Sequence, residues 1–107
     1  MIEEINAEHL KYRMYAKDAP TVIDIRERTE LDVGRLDFAR QIPFSQLANR
    51  LHELDVSSPI VIICRSGSRS PLACKLLVSH GFQNVSHVAG GLLAWAERVD
   101  PTMRPSE

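Results

Sequence analysis

Four consecutive β-branched apolar residues, Ile60-Val61-Ile62-Ile63, run straight into Cys64-Arg65-Ser66-Gly67-Ser68-Arg69-Ser70. No polar residue interrupts the four, so this reads as a strand covered on both faces, as in a parallel sheet flanked by helices. Beyond the heptapeptide, Ser70-Pro71 opens a stretch carrying Leu72, Ala73, Leu76 and Leu77 at helical spacing. Serine at the N-cap and proline at the first helical position are a start signal, because proline's missing N–H would be unpaired there anyway. The chain thus delivers a cysteine from the end of a buried strand, through a short polar loop, into a helix N-terminus.

Such a position favours a thiolate. A helix N-terminus stabilises an anion by about 0.3–1 kcal/mol and rarely ~2, whereas each tenfold change in ionisation is worth about 1.4 kcal/mol. The helix alone therefore does little, and the loop must supply the rest. Successive backbone N–H groups curled around the sulfur add charge-assisted hydrogen bonds, and Arg65 and Arg69 add positive potential. Gly67 lets the backbone enter conformations closed to other residues. Cys64 is thus the expected nucleophile, with Arg65, Ser66, Gly67, Ser68 and Arg69 expected around a bound substrate. A structural cysteine in an ordinary turn is the rival reading, and it leaves Cys, Gly and two Arg within six residues unexplained.

The rest of the chain repeats the strand-then-helix pattern. Ile2–Ile5 reads as a minor edge strand, and Asn6 as the N-cap of a helix with Ala7, Leu10 and Met14 on one face, ending near Asp18. Thr21–Ile25 is a second buried strand. Asp24 and Arg26 at its end either help to position the cysteine loop or fix the turn after the strand. Residues 27–38 are charged and irregular, with Gly34 expected at positive φ. Ala39–Ile42 reads as a short strand stopped by Pro43, and Phe44, Leu47, Ala48, Leu51 and Leu54 mark one amphipathic helix. The helix opened by Pro71 should end at Gly81. Asn84–Val88 is the last strand, Gly90-Gly91 lets backbone pass close to the cysteine loop, and Leu92–Arg98 is a helix burying Trp95. This predicts an α/β fold: a central parallel sheet of four to five strands with helices on both faces. Ligands of such folds bind outside the carboxyl ends of the strands, where Cys64, Arg26 and Gly90 all fall.

A chain of 107 residues has room for one domain, expected over residues 1–100, with 101–107 a frayed tail. Thirteen basic and 14 acidic side chains give a net charge of −1, so no global pull toward nucleic acid or membrane is expected. The acidic start, Met1-Ile2-Glu3-Glu4, argues against a secretory signal, and no apolar stretch approaches the ~18 residues of a spanning helix. Two cysteines make no disulfide framework, and a reducing cytoplasm fits best. His9, His52, His80 and His87 share no metal-ligand spacing. Three of them read as solvent-facing, while His87 falls nearer the carboxyl ends of the strands and is a candidate substrate contact. Cys74, on the helix after the loop, reads as packing or as a resolving thiol.

The cysteine loop resembles the active-site loop of rhodaneses, the single-domain thiosulfate sulfurtransferases, and the resemblance spans roughly residues 3–98. Val22-Ile23-Asp24-Ile25-Arg26-Glu27, followed by Glu30, Gly34 and Ile42-Pro43, is similar to the family's N-terminal signature. Gly90-Gly91-Leu92-Leu93-Ala94-Trp95 is similar to its C-terminal one. The chain departs from the usual pattern at Arg35, where the family has His, and at Phe38-Ala39, where it has Gly-Ala. The resemblance implies a rhodanese-like fold and sulfur transfer through a Cys64 persulfide. Thiosulfate or a related small molecule would be the donor, and cyanide, a thiol or a protein the acceptor. No cofactor or metal is called for. Two alternatives stand beside it. One is a sulfur-carrier or redox-sensing domain with an exposed cysteine that serves a protein partner. The other is a cysteine phosphatase, whose Cys-X5-Arg loop would need arginine at the position held by Ser70.

Overall fold

The computed structural model describes residues 2–28 and 34–103. Five strands, β1 (Ile2–Ile5), β2 (Thr21–Asp24), β3 (Ala39–Gln41), β4 (Ile60–Ile63) and β5 (Val85–Val88), form one sheet in the order β1-β5-β4-β2-β3. Every neighbouring pair is parallel. Ile62 of β4 lies opposite Ile23 of β2 on one side and His87 of β5 on the other. Among the described residues four α-helices accompany the sheet: α1 (Ala7–Met14), α2 (Phe44–Leu47), α3 (Ser70–Ser79) and α4 (Gly91–Arg98).

The unbroken apolar run of β4 is explained by its two coverings. Ile60, Ile62 and Cys64 pack with Leu47 of α2 and Ala73, Cys74 and Leu77 of α3. Val61 and Ile63 point the other way, toward Ala7 and Leu10 of α1 and Leu92 and Trp95 of α4. Alternate side chains leave a strand on opposite faces, so a central strand between two helical layers has no position to spare for a polar residue. Each fully buried Ile, Val or Leu contributes about 1.5–3 kcal/mol.

Several element ends differ from the sequence reading. Asn6 caps α1 as expected, its Oδ1 accepting from the His9 N–H at 2.7 Å. The helix stops at Met14 rather than near Asp18. Tyr15 and Ala16 turn back with three-residue bonds onto Tyr12 and Arg13, and Pro20 disfavours helical backbone at Ala19. The single amphipathic helix expected over 44–54 is α2 followed by a 3₁₀ segment, Ala48–Glu53. Leu47, Leu51 and Leu54 are spaced by four and then three, which suits either geometry over so short a stretch. The cap of α3 is Arg69, not Ser70: Arg69 already has helical φ/ψ, so Ser70 becomes the first helical residue and its hydroxyl cannot cap. The helix ends at Ser79, with Gly81 at φ +93° just beyond the His80 cap. Glu30 of the N-terminal signature and residues 104–107 of the tail lie outside the described residues. Among the described residues no helix is long and apolar enough to cross a membrane.

Candidate active site

Cys64 leaves β4 at the centre of the sheet, and its sulfur accepts a hydrogen bond from the Gly67 N–H at 3.2 Å. Residues 64–69 thus fold back on themselves between the strand and α3. Gly67 holds φ +94°, and a Cβ there would meet the Gly90 nitrogen at 3.2 Å. The positive φ calls for glycine, and the tight approach to Gly90 adds to the cost of any side chain.

Gly90-Gly91 approaches the loop as the sequence reading expects, with partners it does not foresee. The Leu92 N–H donates to the Cys64 carbonyl at 2.9 Å, and the Leu93 N–H donates to the Arg65 carbonyl at 3.0 Å. Gly91 sits so close that a Cβ would collide with the Cys64 carbonyl oxygen and lie 2.7 Å from that of Arg65. The first turn of α4, whose N–H groups have no intrahelical partner, is thereby spent on the loop.

The surroundings of Cys64 correct one expectation. The cysteine is not exposed: its fractional exposure is 0%, within the apolar cluster that holds Ala73, Cys74 and Leu77. A reagent must reach the sulfur through the loop, whose Ser66 and Ser68 are exposed and whose Arg65 and Arg69 are half-buried. The two serine hydroxyls stand 3.5 Å apart.

Asp24 and Arg26 serve the turn after β2. Both are fully buried, and Arg26 donates from Nε and Nη2 to the Asp24 carboxylate at 3.0–3.2 Å. The Arg26 N–H also reaches Asp24, and Nη2 donates to the Gly34 carbonyl at 2.6 Å, tying down the start of the segment that leads to β3. Gly34 has the expected positive φ, +140°. Cys74 is packing: it is fully buried and donates to the Ser86 carbonyl at 3.6 Å. Burial, and secondarily the nearby Cys64, push its thiol from 9.0 up to about 12. His9, His52 and His80 are exposed. The Nδ1 of His87 lies 3.8 Å from Glu4 Oε2 on the edge strand β1.

Comparison with known proteins places this geometry in a family. The rhodanese-like domain model matches residues 6–98. A sulfurtransferase of Allochromatium vinosum is 34% identical over 98% of both chains. A Bacillus subtilis protein provisionally named a sulfur carrier is 29% identical over 92% of this chain and 54% of its own length. The crystal structure of a rhodanese-related protein from Thermoplasma volcanium superposes with a TM-score of 0.81 at 33% identity, covering 91% of this chain and 93% of that one. With its parallel sheet, its cysteine loop and a family match over nearly all of its length, the chain belongs to the rhodanese-like domain family.

Proposed function

We propose that the protein is a sulfurtransferase that moves sulfane sulfur from thiosulfate or a related donor to a thiophilic acceptor through a persulfide on Cys64. The observation that carries this reading is the Cys64 sulfur at the end of the central strand, receiving a backbone N–H from its own loop. Kinship with a sulfurtransferase over almost the whole chain supports it.

The Cys64 thiolate attacks the outer sulfur of thiosulfate. The new S–S bond forms as the old one breaks, and sulfite leaves with the electron pair. A cyanide ion or a thiolate then attacks the terminal sulfur and returns Cys64 as thiolate. This is covalent catalysis by double displacement. Backbone N–H groups of residues 65–69 and the charges of Arg65 and Arg69 stabilise the anionic centres. The loop that ends at Arg69, one residue shorter than a Cys-X5-Arg loop, suits a single sulfur atom better than a tetrahedral phosphate. Ser70 takes the phosphatase arginine's position and is buried in the first turn of α3.

Incubation with thiosulfate should add the mass of one sulfur atom to the intact protein, located on Cys64 and absent from Cys64→Ser. Failure to load from any sulfane donor would sink the assignment. A second reading, delivery to a protein acceptor, has the support of the relative provisionally named a sulfur carrier. It predicts rapid transfer from loaded Cys64 to a purified protein partner with slow turnover on cyanide.

A further inference from the structure

We infer that the first turn of α4 is the device that aims the catalytic loop: Leu92 and Leu93, admitted by Gly91, hold the Cys64 and Arg65 carbonyls, and so turn the Arg65 and Ser66 N–H groups toward the sulfur. Sulfur transfer says what the aimed groups are for, but the aiming itself can be tested without it.

The argument starts from the planar trans peptide, in which C=O and the following N–H point in opposite directions. The Cys64 carbonyl shares its plane with the Arg65 N–H, and the Arg65 carbonyl shares its plane with the Ser66 N–H. Both carbonyls are tied to α4, by Leu92 at 2.9 Å and Leu93 at 3.0 Å. Both following N–H groups must then face away from α4. The next N–H along, that of Gly67, already donates to the Cys64 sulfur at 3.2 Å. Two successive donors are thus set by one helix end, beside the Gly67 donor already on the sulfur, and a loop without this support could turn either peptide over. The arrangement also explains why position 91 needs glycine: any Cβ would push against both carbonyls. Gly91 and Leu93 are positioning residues, acting through the loop backbone rather than on a reactant.

Leu93 allows a clean test, because its N–H makes no bond within its own helix and its side chain is 38% exposed. Leu93→Pro removes that N–H at the third position of α4, beyond the first position where proline fits best, so its fold is checked alongside. Leu93→Ala trims the side chain, keeps the N–H and serves as the reference. Alkylation of Cys64 by iodoacetate at neutral pH, followed by peptide mass, reads how well the loop supports an anionic sulfur. We expect Leu93→Pro to react about tenfold more slowly than Leu93→Ala, both assayed well below their melting temperatures. Equal rates would overturn the proposal. Should Leu93→Pro not fold, amide NMR of the wild-type protein carries the test. The Arg65 and Ser66 amide protons should move more than those of Leu92 and Leu93 as Cys64 ionises, and no such difference would overturn it. Neither readout needs a sulfur donor, so failure here is distinguishable from failure of the transfer reaction.

Discussion

Cys64 and Cys74 sit in the same apolar cluster, yet their sulfurs are served differently. Gly67 donates to Cys64, whereas Cys74 is itself the donor, to Ser86, with its thiol pushed up to about 12. A thiol held so firmly protonated is a poor nucleophile and a poor resolving group. Cys74→Ala should therefore leave sulfur loading within about twofold of wild type, whereas Cys64→Ser should fall below about a tenth of it. Intact-mass spectra after thiosulfate treatment check both. If Cys74→Ala lost most of the loading, the packing role would be refuted. The Asp24–Arg26 pair gives a stability prediction of a different size. Removing one partner of a fully buried pair strands the other charge, at a cost of about 3–5 kcal/mol. Asp24→Asn should accordingly lower the urea midpoint sharply, and a shift no larger than that of a surface mutation would show that the remaining partners of Arg26 satisfy its charge.

Among the elements, the segment from Phe44 to Glu53 behaves least as its sequence reads. Glu53, at its end, accepts from Arg50 Nε and Nη2 at 2.7 and 3.0 Å and pairs with Arg40 of β3. Hydrogen bonding from Arg50, then the charges of Arg50 and Arg40, hold its carboxyl below the usual 4.5. A carboxylate with a depressed folded value stabilises the fold above the unfolded value, and this contribution is lost as pH falls through the folded one. The stability gap between wild type and Glu53→Gln should be constant above about pH 5, shrink in more acid solution and narrow in salt. Urea midpoints from pH 7 to pH 3 would measure it, and a gap independent of pH would mean that the cluster contributes nothing through charge. No pattern of apolar residues could have revealed this cluster, because Arg40 lies 13 residues from Glu53. The buried strands were legible for the opposite reason: Ile60–Ile63, and Val22, Ile23 and Ile25 within the expected Thr21–Ile25, are β-branched and apolar and suit only a covered strand. Gly90-Gly91 signalled a close approach but not its partners, since the Leu92 and Leu93 N–H groups that make the bonds are present in any residue but proline. Ser70-Pro71 located the start of α3 to within one residue and misassigned the cap, because the φ/ψ of Arg69 is set by the loop.

At the scale of the whole molecule, the proposed transfer needs charge to bring an anionic donor to a buried sulfur. The net charge is −1, so the overall field does not draw thiosulfate in, and attraction must come from groups at the mouth of the site. Arg65 and Arg69 are the two cations of the loop, both half-buried, at the carboxyl edge of the parallel sheet where Cys64 emerges. Arg65 directly follows Cys64, the proposed nucleophile. In our reading it meets the donor before the chemistry, whereas Arg69, the cap residue of α3, acts on loop shape. Removing a half-buried charge from an encounter between ions should appear mainly in KM, and its effect should fade as the Debye length drops from about 10 Å at 0.1 M salt to about 3 Å at 1 M. Arg65→Ala should therefore raise KM for thiosulfate about tenfold or more at low salt, the scale of a lost hydrogen bond to a charged group. It should approach wild type at high salt, with kcat little changed at either. Arg69→Ala should instead lower kcat, with a deficit that persists in salt, because a distorted loop is not repaired by screening. Initial rates over a range of thiosulfate concentrations at the two salt levels separate the cases. Identical salt profiles for the two variants would refute the division of labour between the arginines while leaving the Cys64 persulfide standing.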